Sequence, residues 1–142
     1  MLAVAALFGF RIWTQDVKNA YLQSASCLLR DVYMKAPKEF ELQSNEVLKL
    51  LRPLYGLSDS GDYWNATYSD HVRNDLEMKS TAGDMCLFFK KARKKLCGLL
   101  VTYVDDSLFA GDREFIKECD KTSQRFESKE RVWDMMRFAR YL

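Results

Sequence analysis

Hydrophobic and polar positions along this chain predict short elements of mixed type. Met1 to Phe8 is apolar throughout and stops at Gly9, the pattern of a short buried helix. From Phe10 to Val17, apolar Phe10 and Ile12 lead through polar Thr14 and Gln15 to Asp16, predicting a strand that delivers a carboxylate near its end. Asn19 to Gln23 turns helical, and Val32 to Lys35 and Val47 to Leu51 read as short strands, each followed closely by a proline. Trp64, Tyr68, Val72 and Leu76 recur every four residues, predicting the longest helix over Ser60 to Met78, with Ser58, Asp59 or Ser60 as its N-cap. Cys86 to Lys90 and Leu96 to Val104 read as strands joined by a basic tip. After an Asp-Asp turn, Ser107 to Ala110 returns as the next strand of a β-meander. Asp112 caps a helix through Phe126, with Phe115, Ile116, Cys119 and Phe126 on one face. Glu127 to Leu142 reads as a charged turn and a short apolar stub, with no closing element.

No repeat, low-complexity tract or linker divides the 142 residues, which suit one domain with one core. Hydrophobic residues at 48% beside 30% charged residues exclude a disordered chain, and a net charge of +2 excludes a general nucleic-acid coat, so any polyanion site is local. Cys27, Cys86, Cys97 and Cys119 stand far apart without a C-x-x-C pair, and with the single His71 they leave little material for zinc. They read as reduced, half-buried thiols of an intracellular protein. The apolar start lacks a basic leading segment and meets Arg11 after ten residues, too short for a membrane span and wrong for a secretion signal.

The sharpest chemical feature is Tyr103-Val104-Asp105-Asp106, between the apolar runs Leu99-Leu100-Val101 and Leu108-Phe109-Ala110. Adjacent carboxylates at a tight turn repel one another, and such an arrangement calls for a cation or a solvated tip. Asp16 ends another predicted strand. Three aspartates converging from two strands form the oxygen-rich set that hard divalent cations prefer, and two such ions suit phosphoryl transfer.

Asp16-Val17-Lys18-Asn19-Ala20-Tyr21-Leu22, Val32-Tyr33-Met34 with Pro37, Leu54-Tyr55-Gly56-Leu57, Trp64 and Tyr103-Val104-Asp105-Asp106 occur in an order and approximate spacing that resembles the reverse transcriptase domain of copia-type retrotransposons. The resemblance covers nearly the whole chain. It implies an α+β fold, an antiparallel palm sheet packed against helices, as part of a right-handed polymerase. It implies RNA-directed DNA polymerase activity, with Asp16, Asp105 and Asp106 as metal ligands for two Mg²⁺ ions, for which Mn²⁺ is a possible substitute. It places Tyr21 beneath the sugar of the incoming nucleotide, where its ring would clash with a ribose 2′-hydroxyl, and Val104 facing the primer end. The implied partners are an RNA or DNA template with its primer, deoxynucleoside triphosphates, and the fingers, thumb and ribonuclease H domains of a polyprotein. No membrane is implied. Residues 1–142 would form a single partial domain, an excised palm with fingers and thumb truncated, inactive alone.

The chain also departs from the family pattern. Where Leu-Lys-Gln-Ala-Pro-Arg-x-Trp is common, it has Leu57-Ser58-Asp59-Ser60-Gly61-Asp62-Tyr63-Trp64. Residues 55–78 hold Asp59, Asp62, Asp70, Asp75 and Glu77 against Arg73 alone, a stretch expected to repel a phosphate backbone. The run from Lys90 to Lys95 reads as a solvated hairpin tip or a phosphate contact. Trp13, Trp64 and Trp133 read as core anchors, and His71 as a packed, hydrogen-bonded residue. Three functions stay open: a polymerase palm, a noncatalytic degenerate remnant that folds or binds a partner, and an unrelated metal-dependent phosphohydrolase. The last needs a water-activating base that His71, on another element, serves poorly.

Overall fold

The computed structural model describes residues 1–40, 43 and 46–133, with only the backbone for 130–133. Two compact units emerge, one of residues 1–19 with 69–142 and one of residues 20–68. Among the described residues the elements are α1 (Leu2–Phe8), β1 (Arg11–Val17), β2 (Tyr33–Met34), β3 (Leu48–Lys49), α2 (Ser60–Asn74), β4 (Lys79–Ser80), β5 (Leu87–Ala92), β6 (Lys95–Tyr103), β7 (Asp106–Gly111), α3 (Arg113–Arg125) and β8 (Ser128–Trp133). The fold is thus mixed α and β, with an antiparallel sheet and three α-helices. None of those helices is long and apolar enough to cross a membrane.

The first unit is built on a six-stranded sheet in the order β4-β5-β6-β7-β1-β8. Every adjacent pair is antiparallel. Residues directly opposed across antiparallel strands share a face. Ile12, Ala110 and Leu99 therefore stand together, and with Phe10 they pack against Ala5 of α1. Gly9 ends that helix at φ 64°, a left-handed position that glycine takes without a Cβ clash. The same face continues through Thr14 and Leu108 to Asp16 and Asp106.

On the other face Trp13 stacks on Phe109, with ring centroids 4.9 Å apart, and tilts against Phe115 of α3. Asp112 caps α3 by accepting the Phe115 N–H at 2.9 Å, and Phe115, Cys119 and Thr122 form its buried side. Gly98 and Gly111 oppose each other across β6 and β7, and the ring of Phe115 lies over both. A Cβ on either glycine would come within 2.4 Å or 2.2 Å of that ring, so the pair forms a slot for one aromatic side chain.

In the second unit β2 pairs with β3, and Lys49 reaches Asp31 at 2.6 Å. Lys49 holds the Asp31 carboxyl below its ordinary pKa. Helix α2 opens in this unit with Trp64 and Tyr68 buried against each other, 5.3 Å between centroids. Trp13 and Trp64 are the core anchors that the pattern predicts; the side chain of Trp133 lies outside the described residues.

Four expectations are corrected. Helix α1 is not a buried helix: only Ala5 is buried, and Leu2, Leu7 and Phe8 are exposed. Helix α2 ends at Asn74 and not Met78, because the His71 carbonyl accepts both the Asp75 and Leu76 N–H groups and Glu77 turns to φ 54°. Leu76 and Met78 are buried all the same, so the four-residue recurrence follows the core past the helix. Within Glu127 to Leu142, Ser128–Trp133 is a strand, β8, closing the sheet beside β1; residues 134–142 lie outside the described set. The thiols are not uniformly half-buried: none of the four forms a disulfide, and Cys27 and Cys86 are exposed while Cys97 and Cys119 are buried.

Gly98→Ala or Gly111→Ala is expected to destabilise the chain by about 1–3 kcal/mol through overpacking against Phe115. Gly83→Ala, which meets nothing within 4 Å, should stay within about 0.5 kcal/mol of the parent. Urea unfolding curves check both, and equal midpoints for all four proteins would refute the slot.

Candidate catalytic carboxylates

The aspartates meet where β1 and the β6–β7 hairpin run side by side. The hairpin turns on Val104 and Asp105, between the opposed residues Tyr103 and Asp106. Asp106 therefore opens β7, whereas the pattern of residues places both aspartates in the turn. Val104 sits at φ 54°, and for a β-branched residue that is a strained, left-handed position. It is also 41% exposed, and Tyr103 is 78% exposed.

The Val17 N–H donates to the Asp105 carbonyl at 2.9 Å. That bond makes Asp16 and Asp106 a pair without mutual backbone hydrogen bonds, the closer of the two antiparallel pairings, with Cα atoms about 4.5 Å apart. Both are exposed, while Asp105 is partly buried in the turn. Like charges directly opposed across strands repel. On its other side Asp16 is opposed by Lys129 of β8, so Tyr103, Asp106, Asp16 and Lys129 form one row across four strands.

The register brings Asp16 and Asp106 together and leaves Asp105 one position away. Among the described residues no three histidine, cysteine or carboxylate side chains are grouped so as to hold a metal ion. The donor chemistry still fits a hard cation: two exposed, acceptor-only carboxylates face each other, with a third next in sequence.

The strand bearing Asp16 is pinned from behind. Gln15 is buried on the opposite face, where its amide nitrogen donates to Ser123 Oγ of α3 at 3.0 Å and Ser128 Oγ of β8 at 2.8 Å. The Lys18 N–H donates to the Glu127 carbonyl at 2.9 Å, and the two side chains form an ion pair that holds Glu127 below its ordinary pKa. Reading the sequence missed this support and Lys129, because β8 begins with charged residues in the manner of edge strands and shows no apolar alternation.

Tyr21 lies in the second unit, on a 3₁₀ turn over Ala20–Gln23, with its ring 4.4 Å from that of Tyr55. Leu54-Tyr55-Gly56-Leu57 is a tight turn closed by Leu57 N–H to Leu54 carbonyl at 3.3 Å. Gly56 takes φ 98° there, as the third residue of a type II turn must. Two of the segments that carry the resemblance thus meet through their tyrosines.

The departing segment is knitted into the same unit. Asp59 accepts two 3.0 Å hydrogen bonds from the Arg30 guanidinium, which holds its carboxyl below the usual range. Ser60 Oγ donates to the Leu54 carbonyl at 2.7 Å, and Tyr63 Oη accepts the Leu29 N–H at 2.9 Å. In the first unit Asp75 is paired with Arg125 at 2.5 Å and Glu77 with Lys90 at 3.5 Å, so the acidic stretch is partly neutralised within the fold.

His71 is fully buried, with Nδ1 2.6 Å from Asp75 and Nε2 2.9 Å from Thr122 Oγ1. A neutral ring satisfies both contacts, donating to the carboxylate and accepting from the hydroxyl. It is a packed link between α2 and α3.

The chain matches the family described as "Reverse transcriptase (RNA-dependent DNA polymerase)" over residues 1–142, and it belongs to that family. It is 31% identical over 113 residues to the Retrovirus-related Pol polyprotein from transposon TNT 1-94 of Nicotiana tabacum, a match covering 78% of this chain and 8% of the polyprotein. These two likenesses bear out the resemblance to copia-type reverse transcriptases. No solved structure matches the chain.

Burial lowers the His71 pKa below 6.5; Asp75 opposes this shift, and the nearby Arg125 and Lys121 add to it. The unfolded chain then binds more protons than the native one as pH falls below about 6.5, so stability is lost through that window down to the depressed native value. The urea midpoint should fall between about pH 7 and pH 5, and His71→Gln should remove that part of the fall. A parent midpoint independent of pH over this range would contradict the assignment.

Proposed function

We propose that this chain is palm sequence of an RNA-directed DNA polymerase, extending a primer 3′-hydroxyl by two-metal nucleotidyl transfer. The observation that carries the reading is the close opposition of Asp16 and Asp106 on an exposed face, beside a strained Val104-Asp105 turn. Membership of the family supplies the reaction class.

In this reading Asp16, Asp105 and Asp106 would hold Mg²⁺, or Mn²⁺ in its place. Such ions, when bound, lower the pKa of an attacking hydroxyl and stabilise a leaving oxygen. The chain contributes the rest. Its opposed carboxylates concentrate negative charge at one point of the sheet, and Lys129 sets a cation beside them that can attract phosphate oxygens. Gln15, from the far side of β1, and the Lys18–Glu127 connections just past its end keep Asp16 in place. Val104 faces the primer end, and Tyr21 screens the sugar of the incoming nucleotide, both roles following from the family resemblance. The partners are a primed RNA or DNA template, deoxynucleoside triphosphates and the other domains of a polyprotein, since the match covers only 8% of the tobacco relative.

Primer extension with Mg²⁺ or Mn²⁺, with this sequence placed in a full polyprotein, tests the reading. Asp16→Asn and Asp105→Asn should reduce nucleotide addition to background, and Asp106→Asn should reduce it as well. Asp16→Asn removes both a repulsion from Asp106 and an attraction to Lys129, so stability should stay within about 0.5 kcal/mol of the parent, which separates lost chemistry from lost folding. Wild-type rates in the first two variants would refute the role. No addition by the parent sequence itself would favour the noncatalytic remnant. Tyr21→Val should lower the ratio of deoxynucleotide to ribonucleotide incorporation, and an unchanged ratio would remove Tyr21 from the site.

A further inference from the structure

Strand β6 joins two ends of opposite charge. Its last residue, Tyr103, leads into the aspartate turn; its first, Lys95, follows the β5–β6 turn of Arg93 and Lys94, roughly 26 Å away at strand spacing. Arg93 takes φ 49° and Lys94 φ 67°, so both central residues of this two-residue hairpin are left-handed. That is the signature of a type I′ turn, which Asn-Gly makes with little strain and which a pair of long cationic side chains makes at a conformational cost.

Lys91, Arg93, Lys94 and Lys95 are all exposed. No ion pair between described residues involves any of the four, whereas Lys90, one position back, is held by Glu118 at 2.5 Å as well as by Glu77. The basic run is therefore divided: Lys90 is structural and the tip has no ion pair among the described residues. Arg11 opens β1 opposite Gly111 at this same end of the sheet, and Arg113 opens α3 just after it; both are exposed.

We propose that this end of the sheet is a second nucleic-acid contact, a cationic tip that grips the phosphate backbone away from the carboxylates. The choice of nucleic acid rests on the polymerase reading; the existence of a polyanion site rests on the tip itself. A protein partner would call for buried aromatic or aliphatic anchors, and the tip offers only point charges, with Phe89 partly buried beneath Lys91 at 5.6 Å. Charges on both sides of a turn suit a polymer of evenly spaced phosphates. A turn that had only to reverse the chain would need neither cation in a left-handed conformation.

The test is a double variant, Arg93→Asn with Lys94→Gly, which removes two charges and supplies the favoured turn residues. Made in the 142-residue chain on an Asp16→Asn background, it should unfold at the same or a higher urea concentration than its parent. Fluorescence anisotropy with a primed RNA template across salt concentrations should show weaker binding, with the slope of log affinity against log salt reduced by about 2, one for each lost cation. Lys91→Gln with Lys95→Gln, which leaves the turn residues in place, should reduce the slope by a similar amount. Slopes unchanged in both variants would overturn the proposal, as would lost binding to polyglutamate with RNA binding intact, which points to an acidic protein instead. Absence of nucleotide addition by the full polyprotein with all three aspartates intact would sink the polymerase reading and leave this difference standing. Full extension by that unaltered polyprotein, with slopes unchanged in both variants of the chain, would sink the tip alone.

Discussion

The acidic end of the sheet depends on the register of β1 against β7, marked there by the hydrogen bond from the Val17 N–H to the Asp105 carbonyl. Side chains alternate between faces, so a slip of one residue between β1 and β7 would carry Asp16 to the face where Trp13 and Gln15 pack. That slip would bury a carboxylate and take the indole off Phe109 and Phe115. The hydrophobic pairing of Trp13 with Phe109 and the polar anchoring of Gln15 act together against it. The register therefore rests on contacts beneath the sheet, and the aspartates above follow from it.

Several local conformations in this protein run against intrinsic preference, and they cluster at the ends of strands. Val104 adopts a positive φ beside two opposed aspartates, and Arg93 and Lys94 do so at the other end of β6. Between them the strand is buried from Cys97 to Leu100, and its pairing with β5 shifts register between Lys90 and Lys91. Such strain persists only where surrounding packing holds it, and here the packing comes from the interior of the same strand and its neighbours.

Much of the architecture was legible in the residues. The α1 stop at Gly9, the Asp112 cap and the buried stripe of α3 follow from local rules, and so do the two hairpin strands beside the basic tip. Trp13 and Trp64 were recognisable as anchors because a large indole in a short soluble chain finds a core. What escaped was long-range. Strand β8 begins with Ser128, Lys129, Glu130 and Arg131, and only its pairing with β1 makes it a strand. The end of α2 was misplaced because Leu76 and Met78 stay buried after the helix has unwound, and burial periodicity carries no mark of that transition. For the site, the sequence named Asp16, Asp105 and Asp106, yet which aspartate faces which depends on where Val104 bends the chain. The division of the basic run between Lys90 and the tip was equally invisible, since Glu118 lies 28 residues away.

The strand order has a consequence for how the protein is made. Strand β1 leaves α1 early in the chain, yet both its neighbours arrive late: Gln15 waits for Ser123 and Ser128, 108 and 113 residues further on. Pairings of such long sequence separation form slowly, because the closure entropy of the intervening chain is lost before the contacts stabilise it. During synthesis on the ribosome, β1 therefore emerges with two open edges and an uncovered indole while the β5–β6 hairpin, local in sequence, can already close. Folding of these residues during synthesis begins in the hairpin and finishes at the acidic end, where β8 completes the surroundings of a strand made more than 100 residues earlier.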